Sequence, residues 1–301
     1  MRFQIVDAFT DSLFGGNPAG VVLIPEGEDF PDDETMRKTA AELRYSETAF
    51  LKRLTDEGGK KVFHTRYFTP AAEVDLCGHA TIGSSYALLH DGIVSVGETM
   101  RFNTLAGPID IELSEEGILM GMGDPVSYGT LKTGDVQRLY TILGIDDKDQ
   151  DVCDTEPAIK LLPEMVSTGL IDISTPVKDE KELEKIDPDF KALSDLSEEL
   201  DVVGAHAFTV NAEDGVIHAR NFAPLYDIDE EAATGTSNGA LAFYLFRYGL
   251  VAPDKVYTVV QGEKMGRPSK ISFQIKMDGD QPRIFVGGTA VALAEGEIGI
   301  K

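Results

Sequence analysis

Hydrophobic and polar positions alternate from the start of the chain. RFQIVDAF and AGVVLI read as strands joined by GGNP. The pattern then changes to helical spacing over DETMRKTAAEL, which Asp32 or Asp33 can cap and which ends near Leu43. RYSETAFLKRL and VFHTRYFTP return to strand periodicity, and a helix follows over 79–90. ETMRFNTLAGPIDIEL and GILMGMG add strands, and DPVSYGT, residues 124–130, is the best linker. The second half predicts helices over 134–143, near 190–200 and over 237–248. Its strands are IKLLPEMVSTGLIDISTPV (strand, turn, strand), DVVGAHAFTV, GVIHARNFAP, KVYTVVQG, SKISFQIKM and PRIFVGGTAVALAEGEI. Strands dominate and few are spaced for βαβ crossovers, so the expected class is α+β. Two helical stretches, ATIGSSYALL and GALAFYLF, are apolar almost all round, which predicts burial on every side. Strand-rich rolls or barrels, each wrapped around one such helix, are the expected architecture.

The same pattern is written twice. VFHTRYFTP at 62–70 and VIHARNFAP at 216–224 share Val, His, Arg, Phe and Pro at the same five of nine positions. Ala49-Phe50 precedes the first copy and Ala207-Phe208 the second. After each copy a glycine, Gly78 or Gly235, opens an apolar helix, and a second glycine, Gly92 or Gly249, follows 14 residues later. Two domains of similar topology, facing each other across a cleft, account for this order.

Composition narrows the classes. The chain has 301 residues, 42% of them hydrophobic, ample for two domains with their own cores. No apolar run is long enough for a membrane span, and MRFQIVDAFTDSLF lacks the apolar core of a signal peptide. Two cysteines make no disulfide framework, so a reducing cytoplasm is expected. The net charge of −25 argues against nucleic acid as a partner and fits either a solvated acidic surface or a high-salt host. Acidic residues concentrate in 147–201, which reads as surface.

Chemistry is expected where the two buried helices begin. Each start exposes unpaired N–H groups and the positive end of the helix dipole, an arrangement suited to a carboxylate or other small anion. CGHAT lines one start and TGTSNG the other. No phosphate-binding loop, dinucleotide fingerprint, CxxC, HExxH or G-x-S-x-G occurs, and Cys77 and His79 alone cannot make a zinc site. No metal and no cofactor are therefore expected. His64 and His218, alternating with valine and arginine, read as structural. Glu47, in SETAF, has Ala205 as its counterpart in the Ala-Phe alignment, so one half carries a charge that the other lacks. Burial in a cleft is expected to raise its pKa and suit it to proton transfer near neutral pH.

GGNPAGVV, SETAF, RYFTPAAEVDLCGHAT, VSTGL, ARNFAP followed by EEAATGTSNGALAFYL, and VGGTAVALAEGEI resemble, in order and nearly end to end, the phenazine-biosynthesis PhzF-like family. The resemblance implies the diaminopimelate epimerase-like fold and cofactor-free proton transfer. It implies a first domain of 1–124 plus about 287–301 and a second of 125–286. The glutamate of the S-E-T motif, here Glu47, would be acid and base. His79 and Glu231 would position polar groups or relay protons, and backbone N–H groups of Gly78, Gly235 and Thr236 would hold a substrate carboxylate. Asn17 would close one edge of the pocket, and Cys77 lines it. Where the family usually has E-D-P-x-T-G-S-A, this chain has Glu230, Glu231, Ala232, Ala233, Thr234, Gly235, Thr236 and Ser237. The expected activity is isomerisation of a small carboxylated metabolite. The alternatives are a racemase or epimerase using Cys77, and a non-catalytic small-molecule binder. Thr234 stands where the epimerase relatives carry a second cysteine, which disfavours the racemase. A homodimer is a family expectation.

Overall fold

The computed structural model describes residues 1–146, 152–153 and 159–300. The acidic stretch DKDQDVCDTE at 147–156 falls outside the described residues apart from the backbone of 152–153. The chain divides into two units, Met1–Gly121 with Gly287–Lys301, and Met122–Val286.

In the first unit, β1 (Arg2–Ala8) pairs antiparallel with both β2 (Asn17–Leu23) and β20 (Ala290–Glu297). Helix α1 (Asp33–Leu43) crosses from β2 to a parallel neighbour, β3 (Thr48–Arg53). Asp32 caps α1 by accepting from the Thr35 N–H at 2.9 Å. Met36 and Ala40 turn its apolar stripe onto Val22, Phe50 and Phe68. β3 pairs antiparallel with β4 (Lys61–Phe68), followed by the short β5 (Glu73–Val74). Helix α2 (Gly78–His90) leads to β6 (Thr99–Thr104), parallel to β4, and β7 (Gly107–Ser114) and β8 (Gly117–Gly121) complete the meander. α2 touches β1, β2, β3, β8 and β20 and buries nine of its residues, His79 to Ser85 with Ala87 and Leu88. It is the central helix that its composition predicts.

The second unit repeats this order. β9 (Val126–Thr130) and α3 (Thr133–Leu143) come first, then a two-residue ladder of β10 (Val152–Cys153) and β11 (Ile159–Lys160). β12 (Glu164–Ser167) pairs antiparallel with β9 and with β13 (Ile171–Pro176). α4 (Glu180–Lys185) and α5 (Phe190–Leu200) cross to β14 (Ala205–Thr209), parallel to β13. β14 pairs antiparallel with β15 (Ile217–Ala223), and β16 (Ile228–Glu231) follows. Helix α6 (Gly235–Arg247) leads to β17 (Val256–Gln261), parallel to β15, then to β18 (Ser269–Asp278) and β19 (Gln281–Gly288). α6 packs on β12, β13 and β18, and α3 and α5 cover the sheet through Leu139, Leu143, Leu193 and Leu196.

The α+β class holds, with strand-rich units each built around one buried helix. DPVSYGT is not a linker: residues 126–130 form β9, which pairs antiparallel with β12 and whose residues alternate between exposed and half-buried. The two V-x-H-x-R-x-F strands are β4 and β15, and the repeated arginine explains part of their likeness. Arg66 grips Glu73 with bonds of 2.7 and 2.6 Å, and Arg220 grips Glu230 with two of 2.8 Å. Each fork ties the strand to the short one that leads into the buried helix.

Hydrogen bonding fixes a register that dipeptide matching misses. The Gly20 N–H donates to the Glu47 carbonyl at 3.2 Å, and the Ile173 N–H donates to the Gly204 carbonyl at 3.0 Å. Phe50 lies opposite Arg66, and Ala207 opposite Arg220. The backbone counterpart of Glu47 is therefore Gly204, one residue before Ala205.

Candidate active site

The start of α2 is built from three short stretches. Cys77 is its N-cap in extended conformation, Gly78 its first residue and His79 its second. Glu47 ends the turn before β3, and Asn17 opens β2. The Glu47 Oε2 atom lies 3.2 Å from His79 Nε2, and the Cys77 Sγ atom lies 3.4 Å from Nδ1 and 3.8 Å from Nε2. Ser46 Oγ is 3.3 Å from Nε2, and the Asn17 amide is 3.3 Å from Nδ1. His79, Cys77 and Asn17 are buried, the Glu47 side chain is 19% exposed, and Ser46 beside it is exposed. Glu47 Oε2 is itself enclosed and makes no aligned hydrogen bond, so it faces His79 as an ion pair.

The charges follow from this geometry. Burial pushes the Glu47 carboxyl up, but the His79 imidazolium, Ser46 and Cys77 outweigh it and hold it at about 2. This reverses the raised value that burial alone implies. Burial pulls His79 down, yet the adjoining Cys77 and Glu47 raise it well above the usual histidine value. Burial and the Glu47 charge push the Cys77 thiol up to about 11, so it rests as a thiol. At neutral pH the cluster is carboxylate, imidazolium and thiol.

Glu231, Gly235 and Thr236 belong to the second unit, at the start of α6. Gly235 is its first residue and Thr236 its second, with Thr234 as the extended N-cap. The Thr234 hydroxyl donates to Glu231 Oε2 at 2.6 Å. Gln261 donates to the Glu231 carbonyl at 2.8 Å and to Thr234 Oγ1 at 3.1 Å, and Asn238 donates to Gln261 Oε1 at 2.8 Å. Behind Thr236 lies a polar cluster that the sequence did not suggest. Ser237 donates to Asp172, Asn221 donates to Ser237 at 3.1 Å, and the Asn221 amide meets His206 Nδ1 at 3.2 Å. All four are buried. Burial, opposed by Ser237 and helped by Glu231, raises Asp172 to about 7. Burial lowers His206 to about 4.

Sequence reasoning thus named Glu47, His79, Cys77, Gly78 and Asn17, which the fold joins in one cluster. It missed Ser46, although Ser46 precedes Glu47 in the same motif, and it missed Gln261, which no local pattern marks. His64 lies at the edge of Phe30, their rings 5.0 Å apart, and His218 bonds Glu263 at 2.8 Å. Both contacts fit structural roles.

Fold and site together define an α+β protein with an internal repeat and a buried acid–imidazole–thiol cluster at one helix start. Residues 6–296 match the phenazine biosynthesis-like protein family, PhzC-PhzF, and the chain belongs to that family. A Deinococcus radiodurans protein named an uncharacterized isomerase is 35% identical, with 98% of this chain and 94% of the relative covered. The trans-2,3-dihydro-3-hydroxyanthranilate isomerase of Pseudomonas chlororaphis is 29% identical over 99% of both chains. The crystal structure of a Bacillus anthracis phenazine biosynthesis protein of the PhzF family superposes with a TM-score of 0.83. It is 27% identical, with 100% of this chain and 99% of that one covered. The class is that of an isomerase. Among the described residues no helix is long and apolar enough to cross a membrane.

Proposed function

We propose that the chain moves a proton within a small carboxylated metabolite, with Glu47 taking the proton from one carbon and returning it to another, and with no cofactor. One observation carries this reading: a half-buried carboxylate lies 3.2 Å from a buried imidazole at a helix start, a contact that favours the carboxylate anion and the imidazolium. The first N–H groups of α2, at Gly78 and His79, suit the substrate carboxylate. His79 sets the strength of the base. While its charge faces Glu47, the carboxylate is a weak base. When His79 turns its proton toward oxygen on the substrate, that charge is shared and burial dominates, so Glu47 becomes basic as the carbon acid is activated. Glu231, fixed by Thr234, and the N–H groups of Gly235 and Thr236 are assigned polar positioning and anion binding. The Cys77 thiol at about 11, with threonine at the counterpart position, weighs against a two-thiol racemase.

The test is solvent exchange. Wild-type protein in D2O is incubated with a panel of small carboxylates that includes trans-2,3-dihydro-3-hydroxyanthranilate and amino-acid enantiomers. The expected result is deuterium at one carbon of an isomerised product. Inversion of an amino acid would favour the racemase instead. The pH profile of the active substrate adds a check. Glu47 at about 2 is ionised throughout the neutral range, and His79 is charged until its raised pKa is passed. The rate should stay flat through neutral pH and fall only on the alkaline side. A rate that falls below about pH 5 would show a glutamate titrating at its ordinary value.

A further inference from the structure

We infer that Glu47, Cys77 and His79 form a three-ligand site for Zn2+. The ion would reversibly stop the proton transfer, a consequence that rests on the proposed role of Glu47 as the base. Sequence reasoning counted two ligands here, Cys77 and His79. The fold brings the third from 32 residues earlier.

The donor geometry matches the ion. Zinc bonds of about 2.3 Å to sulfur and about 2.0–2.2 Å to nitrogen and oxygen, in tetrahedral arrangement, put donors about 3.3–3.6 Å apart. The three donor atoms lie within 4.8 Å of one another, with Glu47 Oε2 3.2 Å and Cys77 Sγ 3.8 Å from His79 Nε2. Thiolate, imidazole and carboxylate are zinc donors, and the set is a poor one for Mg2+ or Ca2+, which take oxygen. The enclosed Glu47 Oε2 lacks an aligned hydrogen bond, so coordination removes none from it. Coordination needs the thiolate and the neutral imidazole, so binding releases protons to solvent. The fourth position is left for water or a substrate oxygen.

A second cluster among the described residues, His90, Asp91 and Glu295, is more exposed, and Arg2 already binds both of its carboxylates. It serves as the control.

Zinc binding can be read without a substrate, so its test needs no turnover. Full-length protein, stripped with a chelator, is titrated with ZnCl2 by calorimetry and with Co2+ by absorption. One Zn2+ per chain is expected, with a thiolate-to-cobalt charge-transfer band. Cys77→Ala should abolish the band. Cys77→Ala and His79→Ala should each weaken Zn2+ by more than about 100-fold, since even outer partners of metal ligands are worth 10–100-fold. His90→Ala should bind as wild type does, and MgCl2 should not compete. Thermal unfolding checks that each variant folds. Zn2+ should also slow alkylation of Cys77 in the unaltered protein, a readout that needs no variant. Zinc affinity unchanged by both substitutions, a cobalt complex without the thiolate band, or alkylation of Cys77 unaffected by Zn2+ would overturn the site.

Discussion

At the start of α2 a carboxylate, an imidazole and a thiol meet. At the start of α6 the same three backbone positions hold Gly204, Thr236 and Thr234. The exchange runs the other way a layer deeper. Ala19, Ala49, Ala80 and Tyr67 are fully buried in the first unit. Their counterparts by register and helix position are Asp172, His206, Ser237 and Asn221, joined to one another by hydrogen bonds. Both units keep the same order of parallel crossover, hairpin and buried helix, and both keep the arginine fork. What differs is where each accepts polar groups. The first concentrates ionisable groups at the mouth of its helix and packs alanine behind them. The second lines its mouth with hydroxyls and one anchored glutamate and puts its buried acid and imidazole beneath. A repeated backbone therefore leaves the chemistry free to diverge, because a few side chains at the helix start decide which unit can hold a base.

The largest effect that would sharpen this comparison is at Gly204. A Cβ there would sit 1.9 Å from the Phe222 carbonyl oxygen and 3.0 Å from Ala223 Cα, both backbone atoms that cannot move cheaply. The second unit has no room for a glutamate where the first has Glu47. Gly204→Ala should destabilise by more than about 4 kcal/mol, or prevent folding, read by denaturant unfolding. A folded, near-wild-type variant would mean that the two registers are not as described.

Asp172 comes next. In the folded chain it titrates at about 7, far above an unfolded aspartate, so the folded state holds the extra proton between about pH 4 and 7. Its contribution to stability therefore falls as pH rises through that window. His206, lowered to about 4, works in the opposite sense: between about 4 and 6.5 the unfolded state holds the extra proton, and stability rises with pH. The two nearly cancel. Asp172→Asn removes one side of the balance. It should leave stability rising with pH between about 4 and 6.5 and should gain most above pH 7, by up to about 4 kcal/mol. Melting temperatures across pH 4–8 test this, and a pH dependence unchanged from wild type would contradict it.

The smallest effect is at Gly83, in the middle of α2. A Cβ there would meet Val6 at 3.5 Å, an ordinary contact. Gly83→Ala should stabilise the first unit by up to about 1 kcal/mol through helix propensity, measured as a raised denaturant midpoint.

Much of this was legible in the sequence, and the failures have physical causes. Apolar periodicity marked α5 at its observed ends and placed α1, α2, α3 and α6 within two residues, because each is long and either amphipathic or apolar throughout. The glycine-led helix starts pointed to Cys77, Gly78 and His79. The Ala-Phe match misled by one residue, since backbone hydrogen bonds, and not a shared dipeptide, set the equivalence of Glu47 and Gly204. β9 read as a linker because it contains Gly129 and leaves alternate residues exposed. The pKa of Glu47 went in the wrong direction because its controlling partner, His79, is 32 residues away and only the fold joins them. Asp172 and His206 were invisible for the converse reason: polar residues in a strand suggest solvent unless their partners are known.

The central claim is that the reacting proton passes through the acid of the first unit. The most direct measurement is deuterium exchange from D2O into the active substrate, followed by NMR for Glu47→Gln, Glu231→Gln and Cys77→Ala beside the wild type. Glutamine keeps the size of Glu47 but cannot take a proton. The account predicts that Glu47→Gln loses exchange by at least about 10²–10⁴ while ligand binding survives, that Glu231→Gln loses less, and that Cys77→Ala is mildest. An active Glu47→Gln together with a dead Cys77→Ala would contradict it and make the thiol the base.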